Sequence, residues 1–312
     1  MVIGNNDMNE LITDLKSIEL ETLDNLKLSK ANNTIRAYKS DFKDFVDFCT
    51  KNDFRSLPTE PKVISLYLTY LSSSSKMSTL KRRIASISVV HRLKGHYIDT
   101  KHPIIIENLM GIRRKMGSFQ KSKKPILINE LREIIKAIDG VNDSEVRTIR
   151  NKAIILIGFS GGFRRSELVS IGYDDLEFVP EGVKIFIKRS KTDQSGEGMI
   201  KALPYFVNKE FCPVTFLQKW LEISKIKSGS IFNISDKSVA LLIKKYASLA
   251  GFDAQKYSGH SLRSGFATVT AGFGADERSI MTMTGHKTTQ MVRRYIQEAN
   301  LFKNNALNKI KI

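Results

Sequence analysis

The sequence predicts a mainly α protein: an N-terminal helical module, then a mixed, mostly helical domain with one small antiparallel sheet. Three observations carry this. Apolar residues recur at three- and four-residue steps through most of the chain, and the period changes to two only beyond Leu176. A polar, cationic, proline-broken stretch, Gln120-Lys121-Ser122-Lys123-Lys124-Pro125, separates two such regions as an interdomain connection does. The 312 residues suffice for about two cores.

Residues 1–28 read as an acidic-apolar extension, with Leu11, Leu15, Ile18 and Leu23 at roughly helical spacing. From Asn33, the residues Ile35, Tyr38, Phe42, Phe45 and Phe48 mark one face of an amphipathic helix. A second helix follows the Leu57-Pro58-Thr59-Glu60-Pro61 break and runs through Val63, Ile64, Tyr67, Leu68 and Leu71 to a run of serines. A third starts near Ser78 and closes at Gly95, and a fourth covers residues 105–116. These set a helical domain at 29–120, a linker at 121–126 and a second domain at 127–312. In the second domain Asn129 is the expected N-cap of a helix over 130–138, and residues 150–159 form a buried helix ended by glycines. Val183, Ile185 and Ile187 then alternate with Lys184, Phe186 and Lys188 between two turn-rich segments, which predicts two or three short strands. Helices resume over 213–223 and 238–250, and an amphipathic tail helix is expected from about 299, carrying Leu301, Phe302, Leu307 and Ile310.

Fifty Lys plus Arg against thirty-two Asp plus Glu give a formal charge of +18, spread along the chain, so a polyanion is the expected partner. No apolar run approaches the roughly 20 residues of a membrane span, and the first residues lack a signal-peptide layout, so a cytoplasmic location is expected. Cys49 and Cys212 stand far apart and should be reduced. Neither they nor His91, His96 and His102 have metal-site spacing, which disfavours a metal-dependent nuclease.

Four segments carry chemistry. Gly162-Phe163-Arg164-Arg165-Ser166-Glu167-Leu168 puts Arg164 and Glu167 three apart on one helix face, where the carboxylate can hold the guanidinium; an ordinary surface ion pair reads the same way. Ser190-Lys191-Thr192-Asp193 lies at the tip of the expected hairpin, with Lys188 and Lys201 as the nearest competing lysines. His260-Ser261-Leu262-Arg263 follows Ser258-Gly259, a capped cationic helix start suited to an anion. Gly285-His286 precedes Tyr295 by about two helical turns; a tyrosine beside Ile296 can equally be a core aromatic. Arginine suits phosphate because its planar fork binds two oxygens and stays charged.

In this order the segments resemble the tyrosine recombinases, or phage integrase family, of the simple two-domain Cre-like or Xer-like kind, over the chain from about Asn33 onward. The resemblance implies that Arg164 and Arg263 clamp the scissile phosphate and that Glu167 holds Arg164 or a neighbouring histidine in place. His260 assists proton movement, His286 bonds a non-bridging oxygen and Lys191 protonates the 5′ oxygen. Tyr295 is the nucleophile that forms a 3′-phosphotyrosine, and neither metal, ATP nor another cofactor is needed. It further implies double-stranded DNA with an inverted-repeat site as partner, and a tetramer on two sites joined through the C-terminal tail. Basic helix fronts bearing Arg36, Lys39 and Lys43, then Ser78, Lys81 and Arg82, and Lys237 and Lys244 in the second domain, are candidates to grip the duplex. A type IB topoisomerase, or a non-catalytic DNA-binding regulator of recombinase descent, are the alternatives. Richness in Lys, Asn and Ile points to an AT-rich bacterial, phage or plasmid source, where the protein would associate with the nucleoid.

Overall fold

The computed structural model describes residues 32–117, 122–188, 198–303 and 305–310, so the extension expected at 1–28 lies outside the described residues. The chain divides into two compact units, Met1–Gln120 and Lys121–Ile312. No helix among the described residues is long and apolar enough to cross a membrane.

Among its described residues the first unit has four helices, α1 (Asn32–Lys51), α2 (Pro61–Leu71), α3 (Met77–Leu93) and α4 (Pro103–Met116). Helices α2 and α4 begin with proline, whose fixed φ and missing N–H suit a first helical turn. Their apolar stripes meet in one core of Phe45, Ile64, Tyr67, Leu68, Leu80, Ile87 and Ile105. Phe45 and Tyr67 pack edge to face with ring centroids 5.1 Å apart. Asp41, only 2 % exposed, needs a partner at that depth. Arg82 supplies it through Nε at 2.7 Å and Nη2 at 3.0 Å. Arg36, Lys39, Lys43, Ser78 and Lys81 are exposed on α1 and α3. Arg82 is exposed as well, but its fork is already engaged by Asp41.

The second unit comprises α5 (Ile128–Asp139), α6 (Glu145–Ser160), α7 (Arg165–Val169), β1 (Leu176–Val179), β2 (Gly182–Ile187), β3 (Met199–Pro204), α8 (Pro213–Ser224), α9 (Asp236–Leu249), α10 (His260–Gly272), α11 (Glu277–Thr284) and α12 (Thr289–Ala299). The three strands form one antiparallel sheet in the order β1-β2-β3, with Ile187 opposite Met199 at the open end and Gly182 opposite Pro204 at the other. Helix α6 is the axis of the unit: every residue from 151 to 160 is buried, as the continuous apolar run requires. Ser144 caps its start by accepting from the Arg147 N–H.

Three expectations need correction. Asn129 is not a cap, because α5 already begins at Ile128 with Leu127 in the cap position. The extended run before it is pinned by backbone bonds from Lys124 N–H to Lys256 O (2.7 Å) and from Ile126 N–H to Ser261 O (3.0 Å), so it passes straight into the helix. For the same reason, residues 124–126 of the expected linker belong to the second unit's framework. Beyond Ala299 the described residues of the tail form no α-helix but a turn and a short 3-10 segment, Ala306–Lys309. Asn305 caps that segment, and Asn308 bonds the carbonyls of Phe302 and Lys303, local side-chain bonds that compete with helix formation. Leu301, Phe302, Leu307 and Ile310 remain exposed.

Helix α10 lies close to the extended run only because Gly265 has no side chain: a Cβ there would sit 2.1 Å from the Ile126 carbonyl oxygen. Gly265→Ala should therefore push the run away and lower stability by about 1–3 kcal/mol, the usual cost of overpacking. Chemical denaturation of the two proteins measures it; an unchanged midpoint would show that the run is free to give way.

Candidate active site

Two glycine turns frame the site. The first follows α6 and leads through Gly161, Gly162 and Phe163 to Arg164; the second ends α11 at Thr284, Gly285 and His286. Gly162 (φ +54°) and Gly285 (φ +62°) both take the left-handed conformation that glycine adopts without steric cost. These turns leave backbone carbonyls facing inward, and three cationic side chains satisfy them. Arg164 Nη2 donates to Gly285 O (3.3 Å) and Arg263 Nη1 to Gly162 O (2.9 Å). Lys201 Nζ donates to Gly161 O (2.7 Å) and to Met283 O (2.5 Å).

Glu167 is the carboxylate among these cations, with its side chain 1 % exposed. One oxygen accepts the Arg164 backbone N–H at 2.9 Å and the other accepts Arg164 Nη1 at 2.5 Å. Arg164 therefore stands at the N-cap of α7 with its guanidinium held in place, so the surface ion-pair alternative does not describe it. Adjacent Arg165 points instead toward Asp236, 3.6 Å away.

Arg263 is 1 % exposed although it lies on the first turn of α10. Burial, reinforced by Arg164, pulls its pKa down to about 10, which leaves it charged at neutral pH. Its Nη2 approaches His286 Nε2 at 3.2 Å, and because a guanidinium can only donate, Nε2 is the acceptor. The opposite ring nitrogen, Nδ1, lies 2.7 Å from Thr284 Oγ1. That hydroxyl gives its own proton to Ile280 O at 2.6 Å, so it accepts from Nδ1–H. The Thr284 hydroxyl and Arg263 thus fix His286 as the neutral Nδ1–H tautomer. Burial, followed by Arg263 and Arg164, lowers its pKa to about 4.

His260 begins α10, where Ser258 Oγ accepts its N–H at 3.2 Å. Its Nε2 lies 3.3 Å from the Tyr295 hydroxyl, so the nucleophile candidate and a base candidate are within reach of each other in a single chain. Desolvation within the site, then Arg263, Arg164 and Arg165, pushes His260 below its ordinary pKa. Tyr295 is half-buried on α12 and its ring stands 6.1 Å from that of His286. Desolvation raises its pKa while Arg263 and Arg294 oppose the rise. Val292 and Ala299 on α12 pack with Ala267, Ala271 and Ile280, which holds the tyrosine-bearing helix against α10 and α11.

The structure thus brings together Arg164, Glu167, His260, Arg263, His286 and Tyr295. Lys191 falls in the segment joining β2 to β3 and lies outside the described residues. Lys237 is exposed and Lys244 half-buried on α9. Lys188 is paired with Asp175 at 2.6 Å. Sequence reasoning missed Thr284, which leaves no trace without side-chain orientation. It also ranked Lys201 only as a competitor, though the alternation of β3 puts Lys201 on the buried face with Leu203.

A mostly helical domain that clusters two arginines, two histidines and a tyrosine about two glycine turns has the groups needed to hold and attack a phosphodiester. Residues 126–301 match the phage integrase family, and residues 21–95 match its N-terminal SAM-like domain. The chain belongs to the phage integrase family, the tyrosine recombinases, an enzyme class that breaks and rejoins DNA. It is 41 % identical to an integrase/recombinase xerD homolog of Selenomonas ruminantium, over 97 % of this chain and 92 % of that protein. It is 26 % identical to tyrosine recombinase XerC of Leptospira interrogans, over 87 % and 85 % of the two chains. Its fold is shared by XerH recombinase bound to palindromic difH substrate in a post-cleavage complex (TM-score 0.61, 17 % identity, 80 % of this chain and 73 % of that one). A lambda integrase dimer bound to a COC′ core site shares it too (TM-score 0.59, 18 % identity, 94 % and 98 %).

The low pKa of His286 has a consequence for stability. Released on unfolding, the imidazole returns toward its ordinary 6.5, so between about 4 and 6.5 the unfolded chain binds more protons and stability falls as pH falls. His260 and the buried His91 are pushed the same way. The denaturation midpoint should drop between pH 7 and pH 5, and by less in His286→Gln. An equal drop in both proteins would mean that His286 is not held neutral.

Proposed function

We propose that this chain is a site-specific recombinase in which Tyr295 cuts one DNA strand and stores the bond energy as a 3′-phosphotyrosine. The observation that carries this is the clustering, around the Gly162 and Gly285 turns, of two guanidiniums with His260 set 3.3 Å from the Tyr295 hydroxyl. Arg164 and Arg263 neutralise the two non-bridging oxygens as the pentacoordinate phosphorus gains charge. Tyr295 Oη bonds to phosphorus and passes its proton to His260 Nε2, while the bond to the 5′ oxygen breaks. Lys191 supplies the proton that makes this oxygen a hydroxyl. The 5′ hydroxyl of a partner duplex then attacks the phosphotyrosine, restoring the tyrosine and joining the exchanged strands; no net hydrolysis occurs and no nucleotide is consumed.

For His286 to bond a phosphate oxygen it must donate through Nε2, the atom that accepts from Arg263 in the free protein. An arriving phosphate resolves this by drawing the Arg263 fork to itself and favouring the protonated imidazole. Exposed Arg36, Lys39, Lys43, Ser78 and Lys81 on the first unit, with Lys237 and Lys244 on α9, supply phosphate contacts that set register on the duplex. Arg82 serves chiefly to hold Asp41. An inverted-repeat site seats two protomers, two sites assemble a tetramer, and the exposed apolar residues of the tail dock on a neighbouring protomer.

The test is a covalent trap. The protein is expressed with its own flanking DNA and with random DNA, denatured, and any linked DNA is sequenced, with Tyr295→Phe alongside. The expected result is linkage at a recurring inverted repeat, lost in Tyr295→Phe while DNA binding persists. Linkage scattered without sequence preference would indicate a topoisomerase, and absence of linkage with tight binding retained a regulator.

A further inference from the structure

Among the described residues Lys201 is the one titratable group in the interior of the site to which the reaction gives no task. Its side chain is wholly buried on β3, yet it is not an accident of packing. An ammonium at that depth needs partners, and Lys201 has four: the carbonyls of Gly161 and Met283, the Glu167 carboxylate at 3.9 Å, and the Phe163 ring at 4.4 Å. Each belongs to machinery already described. Gly161 opens the turn that delivers Arg164, and Met283 precedes the turn that delivers His286. Glu167 holds Arg164, and Phe163 is the residue before it.

We propose that Lys201 is a positioning residue that ties the two glycine turns to each other and to β3, fixing the spacing between Arg164 and His286 across the scissile phosphate. Among the described residues Arg263 also bonds both turns from a third element, through Gly162 O and His286 Nε2. Arg164 and Arg263 each bond one carbonyl of a turn, but both must also serve the phosphate, whereas the Lys201 ammonium is committed to two carbonyls, one beside each turn. Lys201 is accordingly not an alternative proton donor: its protons point to backbone oxygens.

The inference rests on the phosphotyrosine reading, and one pair of substrates separates the two. A duplex carrying the site recovered by trapping is made with either oxygen or sulfur bridging to the 5′ carbon at the scissile position. A thiolate leaves without being protonated, so sulfur rescues a missing general acid and nothing else. Cleavage of both substrates by the unaltered protein, and none by Tyr295→Phe, tests the reading itself. Lys201→Met, which keeps the length and removes the charge, should bind the duplex within about twofold of the unaltered protein. It should cut both substrates about 100-fold more slowly in single turnover, the scale of an ångström-sized misplacement. Lys191→Ala, by contrast, should recover on sulfur. Recovery of Lys201→Met on sulfur would make Lys201 the proton donor and overturn the inference. An unchanged cleavage rate in a protein that merely unfolds at lower denaturant would overturn it too, by reducing Lys201 to a stability element. If Lys201→Met does not fold, Lys201→Gln, which keeps a donor for one carbonyl, is read by the same criteria.

Discussion

The second unit is organised by a surplus of buried positive charge. Arg164, Arg263 and Lys201 gather around the single carboxylate of Glu167, and the positive charge in excess of that carboxylate lies beside the two glycine turns. Burying cations is costly, and the cost is met by backbone carbonyls: Gly161, Gly162, Met283 and Gly285 each accept from one of the three. Gly162 and Gly285 take the left-handed backbone that glycine adopts without steric cost, whereas Gly161 is right-handed and Met283 lies within α11. Once the turns are set, Arg164, Arg263 and His286 have nowhere else to point.

Such a surplus is poised for an anion. The pKa of Lys201 is pulled down to about 7 by burial and by the two arginines, with Glu167 opposing, and that of Arg263 to about 10, chiefly by burial. In the proposed reaction a phosphodiester would offset this surplus, and the more highly charged pentacoordinate state would offset it further. Interactions that grow toward the transition state are those that accelerate a reaction. The histidines follow the same logic: each is held neutral until charge of the opposite sign enters.

The parts legible in the sequence were those set by short spacing. Arg164 with Glu167, His260 with Arg263, and Gly285-His286 ahead of Tyr295 each lie within a few turns of helix, so periodicity alone puts them on common faces. The domain of helices before residue 117 and the three-stranded sheet were legible for the same reason. Contacts made across the sequence were not. Arg82 finds Asp41 41 residues away, and the two lie on different helices. Lys124 and Ile126 are pinned by residues more than 130 positions later, which is why the start of α5 shifts off Asn129. The asparagines that break the tail helix act by local side-chain bonds that the apolar pattern of Leu301, Leu307 and Ile310 conceals. Lys201 was in plain view as an alternating residue of β3, but a lysine on a core face is read as an error in register until its acceptors are known.

In the proposed reaction this surplus of charge serves one nucleophile, Tyr295, in cis with His260. The most direct measurement is to digest the denatured protein–DNA adduct and sequence the nucleotide-bearing peptide by mass spectrometry. The account predicts a single modified residue, Tyr295, esterified to a 3′ phosphate, with a free 5′ hydroxyl on the other strand end. Attachment through any other residue, or a 5′-phosphotyrosine, would contradict it.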